Sequence, residues 1–178
     1  MQTNLEIHHV CGLDELRLAP VSSAHRVVSI LDPGAPTPAE LRSIDVPMLV
    51  LRFEDVIDTR DPAAPGPSHV EKLLAFDAGA RDDERLVVHS TAGISRSTGA
   101  LAVLLAARHP DLLDEIFAAI RRIRPMAWPN LLVVSLGDEL LGRGGALISA
   151  LHRHYEIQAR HPAFGPLFRT APGRPEQS

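Results

Sequence analysis

The sequence predicts one α/β domain built on a central, mainly parallel sheet of four to five strands flanked by helices. Three observations carry that prediction. Short β-rich runs alternate with helical patterns through the first two-thirds of the chain, as in folds whose helices alternate with strands. Three of those runs are continuously apolar, as expected of strands covered on both faces. After residue 95 the pattern becomes helical only.

The strands are expected at "LEIHHV" (5–10), "HRVVSIL" (25–31), "PMLVLRF" (47–53) and "RLVVHS" (85–90). Between them, "LDELRLA" (13–19) and "TPAELRSI" (37–44) predict short helices, the second with Thr37 as N-cap and Pro38 at the first helical position. The stretch 54–68, "EDVIDTRDPAAPGPS", is rich in Asp, Pro and Gly with no apolar period, so it is a loop, and long enough to suggest function. A helix follows from Ser68 to about Ala80.

Residues 96–109 are apolar nearly all round, which predicts a helix inside the core. Residues 111–125 are amphipathic, with Leu112, Ile116, Ala119, Ile120 and Ile123 on one stripe and Asp111 as the start signal after Pro110. Helices at 129–142 and 146–160 complete the domain, expected to span 1–160. The Pro- and Gly-rich stretch 161–178 reads as a flexible tail.

Composition excludes several classes of function. No run approaches the roughly 18 apolar residues of a membrane span. The first ten residues lack the basic and then apolar pattern of a secretory signal, so a cytoplasmic protein with no membrane association is expected. Cys11 is the single cysteine, which rules out an internal disulfide and any multi-cysteine metal site. The net charge of -4 gives nucleic-acid binding no bulk electrostatic support. The nine histidines show no ligand spacing, and neither a metal nor a cofactor is expected.

The informative stretch is "LVVHSTAGISRSTG" (86–99), an apolar strand running through a small-residue loop into a helix. Such a turn lets successive backbone N–H groups from Thr91, Ala92, Gly93, Ile94, Ser95 and Arg96 face one centre at the positive end of a helix. Gly93 permits the required backbone angle, and Arg96 can add two parallel charge-assisted hydrogen bonds to phosphate oxygens. Without Arg96 as an anion ligand, the same residues would read as a plain strand-to-helix turn with Ser95 as helix cap.

"HSTAGISRST" resembles the signature of the cysteine-dependent protein tyrosine and dual-specificity phosphatases, His-Cys-x5-Arg-Ser/Thr, with Ser90 in place of the cysteine. "RFED" (52–55) is similar to the stretch that carries their general-acid aspartate. "IHHVCGLDEL" (7–16) and "RPMAWPNLLVVSLGDELLGRGGAL" (124–147) resemble the opening and closing segments of a bacterial branch. The resemblance implies that Ser90 stands at the nucleophile position, Thr91 to Arg96 bind phosphate, and Arg96 also binds the transition state. Ser97 resembles the hydroxyl that assists breakdown of the phosphoenzyme. Asp55 resembles the acid that protonates the leaving oxygen, with Asp58 and Asp61 as alternatives. His89 is implied to be structural, orienting the loop.

A cysteine in such a cradle becomes a thiolate because loop amides and the helix end lower its pKa from about 8.5. A serine hydroxyl starts far higher and needs an adjacent base. His89 directly precedes Ser90 in the strand and should point to the opposite face, and "GISRS" lacks the final Gly of a serine-hydrolase elbow. The expectation is a phosphatase-like protein that binds a phosphate monoester, as phosphoprotein or phosphopeptide, with its dephosphorylation impaired. Ser90 fits either a natural pseudophosphatase or a substrate-trapping replacement. The alternative is a non-catalytic module that binds a phosphorylated partner.

Overall fold

The computed structural model describes residues 3–164. Strands β2 (Arg26–Leu31) and β4 (Leu86–His89) are buried on both faces and lie side by side at the centre of a four-stranded parallel sheet. β1 (His9–Cys11) flanks β4 and β3 (Met48–Arg52) flanks β2, giving the order β1-β4-β2-β3. β3 departs from the expectation of two covered faces: Met48, Leu49 and Val50 are only half-buried, because this strand forms the sheet edge.

The two faces are covered unequally. All five helices, α1 (Pro67–Asp77), α2 (Arg96–Arg108), α3 (Leu113–Ile123), α4 (Leu131–Leu140) and α5 (Ala146–Ala159), join the core built on Val28, Ile30, Leu86 and Val88. The other face, carrying Cys11, Val27 and Val87, is closed by Leu16, Val21 and Leu41. Those three residues sit on 3-10 turns at Leu13–Leu18, Val21–Ser23 and Ala39–Leu41. The helices expected at 13–19 and 37–44 are therefore short 3-10 segments of six and three residues, too short to offset the cost of α-helix nucleation. The cap of the second is Pro38 rather than Thr37. The strand expected at 5–10 is half strand: Leu5–Ile7 forms a 3-10 turn in which the Asn4 side chain accepts the Glu6 N–H at 3.1 Å.

α2 is buried from Arg96 to Ala106, as its all-round apolarity predicts. At its far end Arg108 makes a buried bidentate pair with Asp77, both bonds 2.8 Å, which fastens α1 to α2. α3 begins at Leu113 with Leu112 as cap residue, two residues after the expected Asp111 start. α4 approaches α2 so closely that a Cβ on Gly137 would lie 2.8 Å from Val103 Cγ1.

α5 serves as a bracket for the segment before α4. Gln158 Nε2 donates at 2.9 Å to the carbonyls of Pro125 and Ala127, and His154 Nε2 lies 3.0 Å from the Ala127 carbonyl. Tyr155 stacks on Trp128 at 4.4 Å, and its hydroxyl donates to the Pro129 carbonyl. A 3-10 turn at Pro162–Phe164 then buries Phe164 against Trp128, so packed chain continues beyond the expected boundary at 160. The remainder of the expected tail, 165–178, lies outside the described residues. No helix among the described residues is long and apolar enough to cross a membrane.

Two expected outcomes follow from this packing. Burial pushes His8 down to about 3 and both His89 and His154 down to about 4. An unfolded chain, with imidazoles near 6.5, therefore binds more protons than the native state between pH 6.5 and 4. Stability should be fully present above pH 6.5 and fall as pH drops through that window. Thermal melts across pH check the trend, and His154→Asn should flatten the slope. Gly137→Ala should destabilise by about 1–3 kcal/mol through overpacking, and adding Val103→Ala should recover part of that loss in denaturant titrations.

Candidate active site

The loop between β4 and α2 is shaped from outside by donors that take its carbonyls. Leu13 N–H donates to the Thr91 carbonyl at 3.0 Å and Arg124 Nη2 to the Ala92 carbonyl at 2.9 Å. Trp128 N–H donates to the Ile94 carbonyl at 2.9 Å, and Asn130 N–H to the Ser95 carbonyl at 3.0 Å. Because each peptide unit is planar and trans, a carbonyl turned outward turns the following N–H the opposite way. The N–H groups of Thr91 to Arg96 have no partner among the described residues. Those of Ala92, Gly93, Ser95 and Arg96, each following an outward carbonyl, face inward at the N-terminus of α2, where the helix dipole adds positive potential. Gly93 closes the curve at φ +67°, where a Cβ would meet the Cys11 carbonyl oxygen at 2.6 Å.

Arg96 is buried, and its guanidinium is fixed on one side only. Nη1 donates to Asp32 Oδ1 and to the Phe53 carbonyl, both at 2.7 Å, and Nη2 to Thr91 Oγ1 at 2.8 Å. Nε and the second Nη2 hydrogen have no partner among the described residues, so a two-pronged donor remains available.

Ser90 is 2% exposed, and its Oγ donates to Ser97 Oγ at 2.9 Å. His89 faces the other way, with Nε2 2.6 Å from Ser29 Oγ across the β4–β2 pair. Burial, aided by the Arg96 charge and opposed by a hydrogen bond to the Ser90 backbone, accounts for its low pKa. His89 is thus neutral at physiological pH and belongs to the sheet face away from Ser90. Cys11 is buried, and burial pushes its thiol up to about 11.

The three candidate aspartates occupy different places. Asp55 Oδ1 accepts from Ser95 Oγ at 2.6 Å and from Asn130 Nδ2 at 2.9 Å, so this carboxylate is tied to the loop while Oδ2 has no partner among the described residues. Ser95 consequently makes no helix-capping bond. Asp58 instead pairs with Arg60 in the exposed part of the 54–66 stretch, and Asp61 accepts the Ala63 N–H at 2.8 Å within a turn.

Four surrounding residues were not singled out by the sequence reading. Asn130 caps α4 by accepting Val133 N–H at 3.0 Å while donating to Asp55. Glu15 accepts Gly12 N–H at 2.6 Å and Arg124 Nη1 at 2.9 Å, holding Arg124 against the loop. Asp32 follows directly on β2, and the carboxyl end of a central parallel strand is where ligand sites gather. That rule offered a signal for Asp32, whereas Asn130, Glu15 and Arg124 meet the loop only through the tertiary fold. No group of three or more His, Cys, Asp or Glu is placed to hold a metal ion among the described residues.

Solved structures of tyrosine and dual-specificity phosphatases share this fold. The chain is similar to human DUSP28, with 24% identity and a TM-score of 0.55, over 78% of this chain and 96% of that one. It is also similar to the Yvh1 phosphatase domain from Chaetomium thermophilum, at 20% identity and TM-score 0.58, over 80% and 94% of the two chains. A third neighbour is the human tyrosine phosphatase-like serine/threonine/tyrosine-interacting protein, at 18% identity and TM-score 0.54, over 76% and 88%. Neither a family model nor a curated protein sequence matches the chain.

Proposed function

We propose that the 90–96 loop binds a phosphate monoester carried on a phosphoprotein or phosphopeptide, and that Ser90 leaves the dephosphorylation step impaired. The observation that carries this reading is the set of N–H groups with no partner from Thr91 to Arg96, four of them turned inward by bonded carbonyls, together with the open prong of Arg96. A tetrahedral phosphate matches such a cradle in donor count, with no metal or other cofactor required.

Ser90 would sit beneath the phosphorus in this arrangement. Its hydroxyl lacks a general base: the imidazole of His89 lies on the opposite sheet face, and its other close hydroxyl is Ser97. Amides and a helix end can hold a thiol as thiolate near neutrality, but not an alcohol. In a cysteine form the thiolate would attack phosphorus as the P–O bond of the ester breaks, with Asp55 giving its proton to the departing oxygen. Water would then hydrolyse the thiophosphoryl intermediate, with Ser97 beside the sulfur. Asp55 is favoured over Asp58 and Asp61 because it alone of the three is bonded to the loop. The second reading, a binding module with no catalytic form, draws its support from Ser90 itself. Either reading accommodates a natural pseudophosphatase, and the first also accommodates a substrate-trapping replacement.

Phosphate, sulfate or vanadate should bind the chain, and Arg96→Ala should abolish binding in calorimetry. Arg96→Lys should restore little, because an ammonium cannot make the bidentate contact. Unchanged anion affinity in Arg96→Ala would remove the basis for the cradle. Ser90→Cys should create metal-independent phosphatase activity towards aryl phosphates and phosphotyrosine peptides. Adding Asp55→Ala should slow esters with poor leaving groups more than an aryl phosphate, by about 10²-fold or more. A folded Ser90→Cys protein inert across a broad pH range would leave the binding-module reading standing in place of the latent phosphatase.

A further inference from the structure

Arg96 does not meet an incoming phosphate as a free cation. Asp32 already sits 2.7 Å from its Nη1, and the Asp32 side chain is 55% exposed while that of Arg96 is 5% exposed. One end of this ion pair therefore opens to solvent at the cradle mouth. The Phe53 carbonyl shares the same nitrogen, so both Nη1 hydrogens are engaged and the free donors are those of Nε and Nη2. Asp32 leaves the hydrogen-bonding fork intact while cancelling most of its charge as felt from outside.

The acidic character continues along the neighbouring strand end. Glu54 and Asp55 are exposed after the buried Phe53 that follows β3, which pairs with β2 in register Leu31 to Arg52. The cationic side chain on the far rim, Arg124, is neutralised by Glu15 at 2.9 Å. A phosphate would thus be held by amides and one paired arginine, with the exposed Asp32 carboxylate bonded to that arginine, while the exposed Arg52, in register with Leu31, donates to the Ala35 carbonyl at 3.0 Å.

From this arrangement, and resting on the cradle reading above, we propose that Asp32 makes the site selective for phosphopeptides whose phosphorylated residue is flanked by arginine or lysine. The flanking cation takes the exposed oxygen of Asp32 while the phosphate takes the free prong of Arg96, so each charge of the Arg96–Asp32 pair gains a second partner. An acidic flank, a polyphosphorylated ester or an anionic membrane surface gains nothing at Asp32 and is repelled by it.

The test uses the full chain with Ser90 in place, which binds without turnover. Two phosphotyrosine peptides that differ only in arginine or glutamate beside the phosphorylated residue are titrated by calorimetry, with inorganic phosphate and phosphoinositide-containing vesicles as further probes. The arginine-flanked peptide should bind about fivefold or more tightly than the glutamate-flanked one, a preference that shrinks as salt is raised. Asp32→Asn keeps an oxygen to accept from Nη1 and removes the charge, so it should bring the ratio close to one and tighten inorganic phosphate binding. Asp32→Glu should retain the preference. An equal ratio in the wild-type chain and Asp32→Asn overturns the role of Asp32 even where phosphate binds. Vesicle binding tighter than that of either peptide and indifferent to Asp32→Asn overturns it in favour of a lipid partner. Loss of all binding of phosphate and peptides alike, in wild type as in Arg96→Ala, rejects the cradle itself rather than the selectivity.

Discussion

Four carbonyl groups turned outward are the constraint on which the rest of this structure depends. A loop of six residues cannot by itself keep its N–H groups facing one point, because each peptide plane is free to flip. Here the carbonyls of Thr91, Ala92, Ile94 and Ser95 are each taken by a donor from another segment, and planarity fixes the N–H groups as a result. The donors come from the β1 end, from Arg124 and from the 128–130 backbone. Those segments need their own supports, which explains why Glu15 grips Arg124 and why α5 directs Gln158, His154 and Tyr155 at the carbonyls of 125–129. The helical layer packs the core and also sets the peptide orientation of a loop it touches only at the edge.

The same logic separates the two hydroxyls and the imidazole around the end of β4. Side-chain alternation along the strand sends His89 to the thin face, where Ser29 meets it, and Ser90 to the loop, where Ser97 meets it. A strand that continued regularly for one residue more would carry Ser90 into the sheet. The close approach at Gly93 ends the strand at this point by laying the loop on the Cys11 carbonyl. The positions of Ser90, of the loop amides and of His89 are thus consequences of one register.

Sequence made the local part of this legible. The β4–loop–α2 unit is contiguous, so its strand, its glycine and its arginine could be read from a single window, and the buried α2 followed from its lack of a polar side. What stayed hidden was whatever depends on partners far along the chain. Asp55 stands apart from Asp58 and Asp61 only through Asn130, 75 residues away, and Ser95, 40 residues away. The short turns that close the thin face carry an apolar residue every few positions, as an α-helix does. Pattern alone could not reveal that they stop after one or two 3-10 turns. Phe164 lies in a stretch that reads as tail because proline and glycine surround it, yet the Trp128 ring gives it a place to bury.

The bracket formed by α5 also has a meaning in time. Segment 125–129 is held by residues 154, 155 and 158, so a chain leaving the ribosome would have made β4, the loop and α2 well before the groups that orient the loop exist. The strands also pair across long sequence separations, β1 with β4 foremost, so sheet closure waits for His89, halfway along the sequence, and is slow in entropic terms. A nascent chain stopped short of α5 would carry the signature in full and yet lack the supports that orient its amides. Possession of the loop sequence and orientation of its peptides are acquired at different moments of synthesis, the second only once α5 is in place.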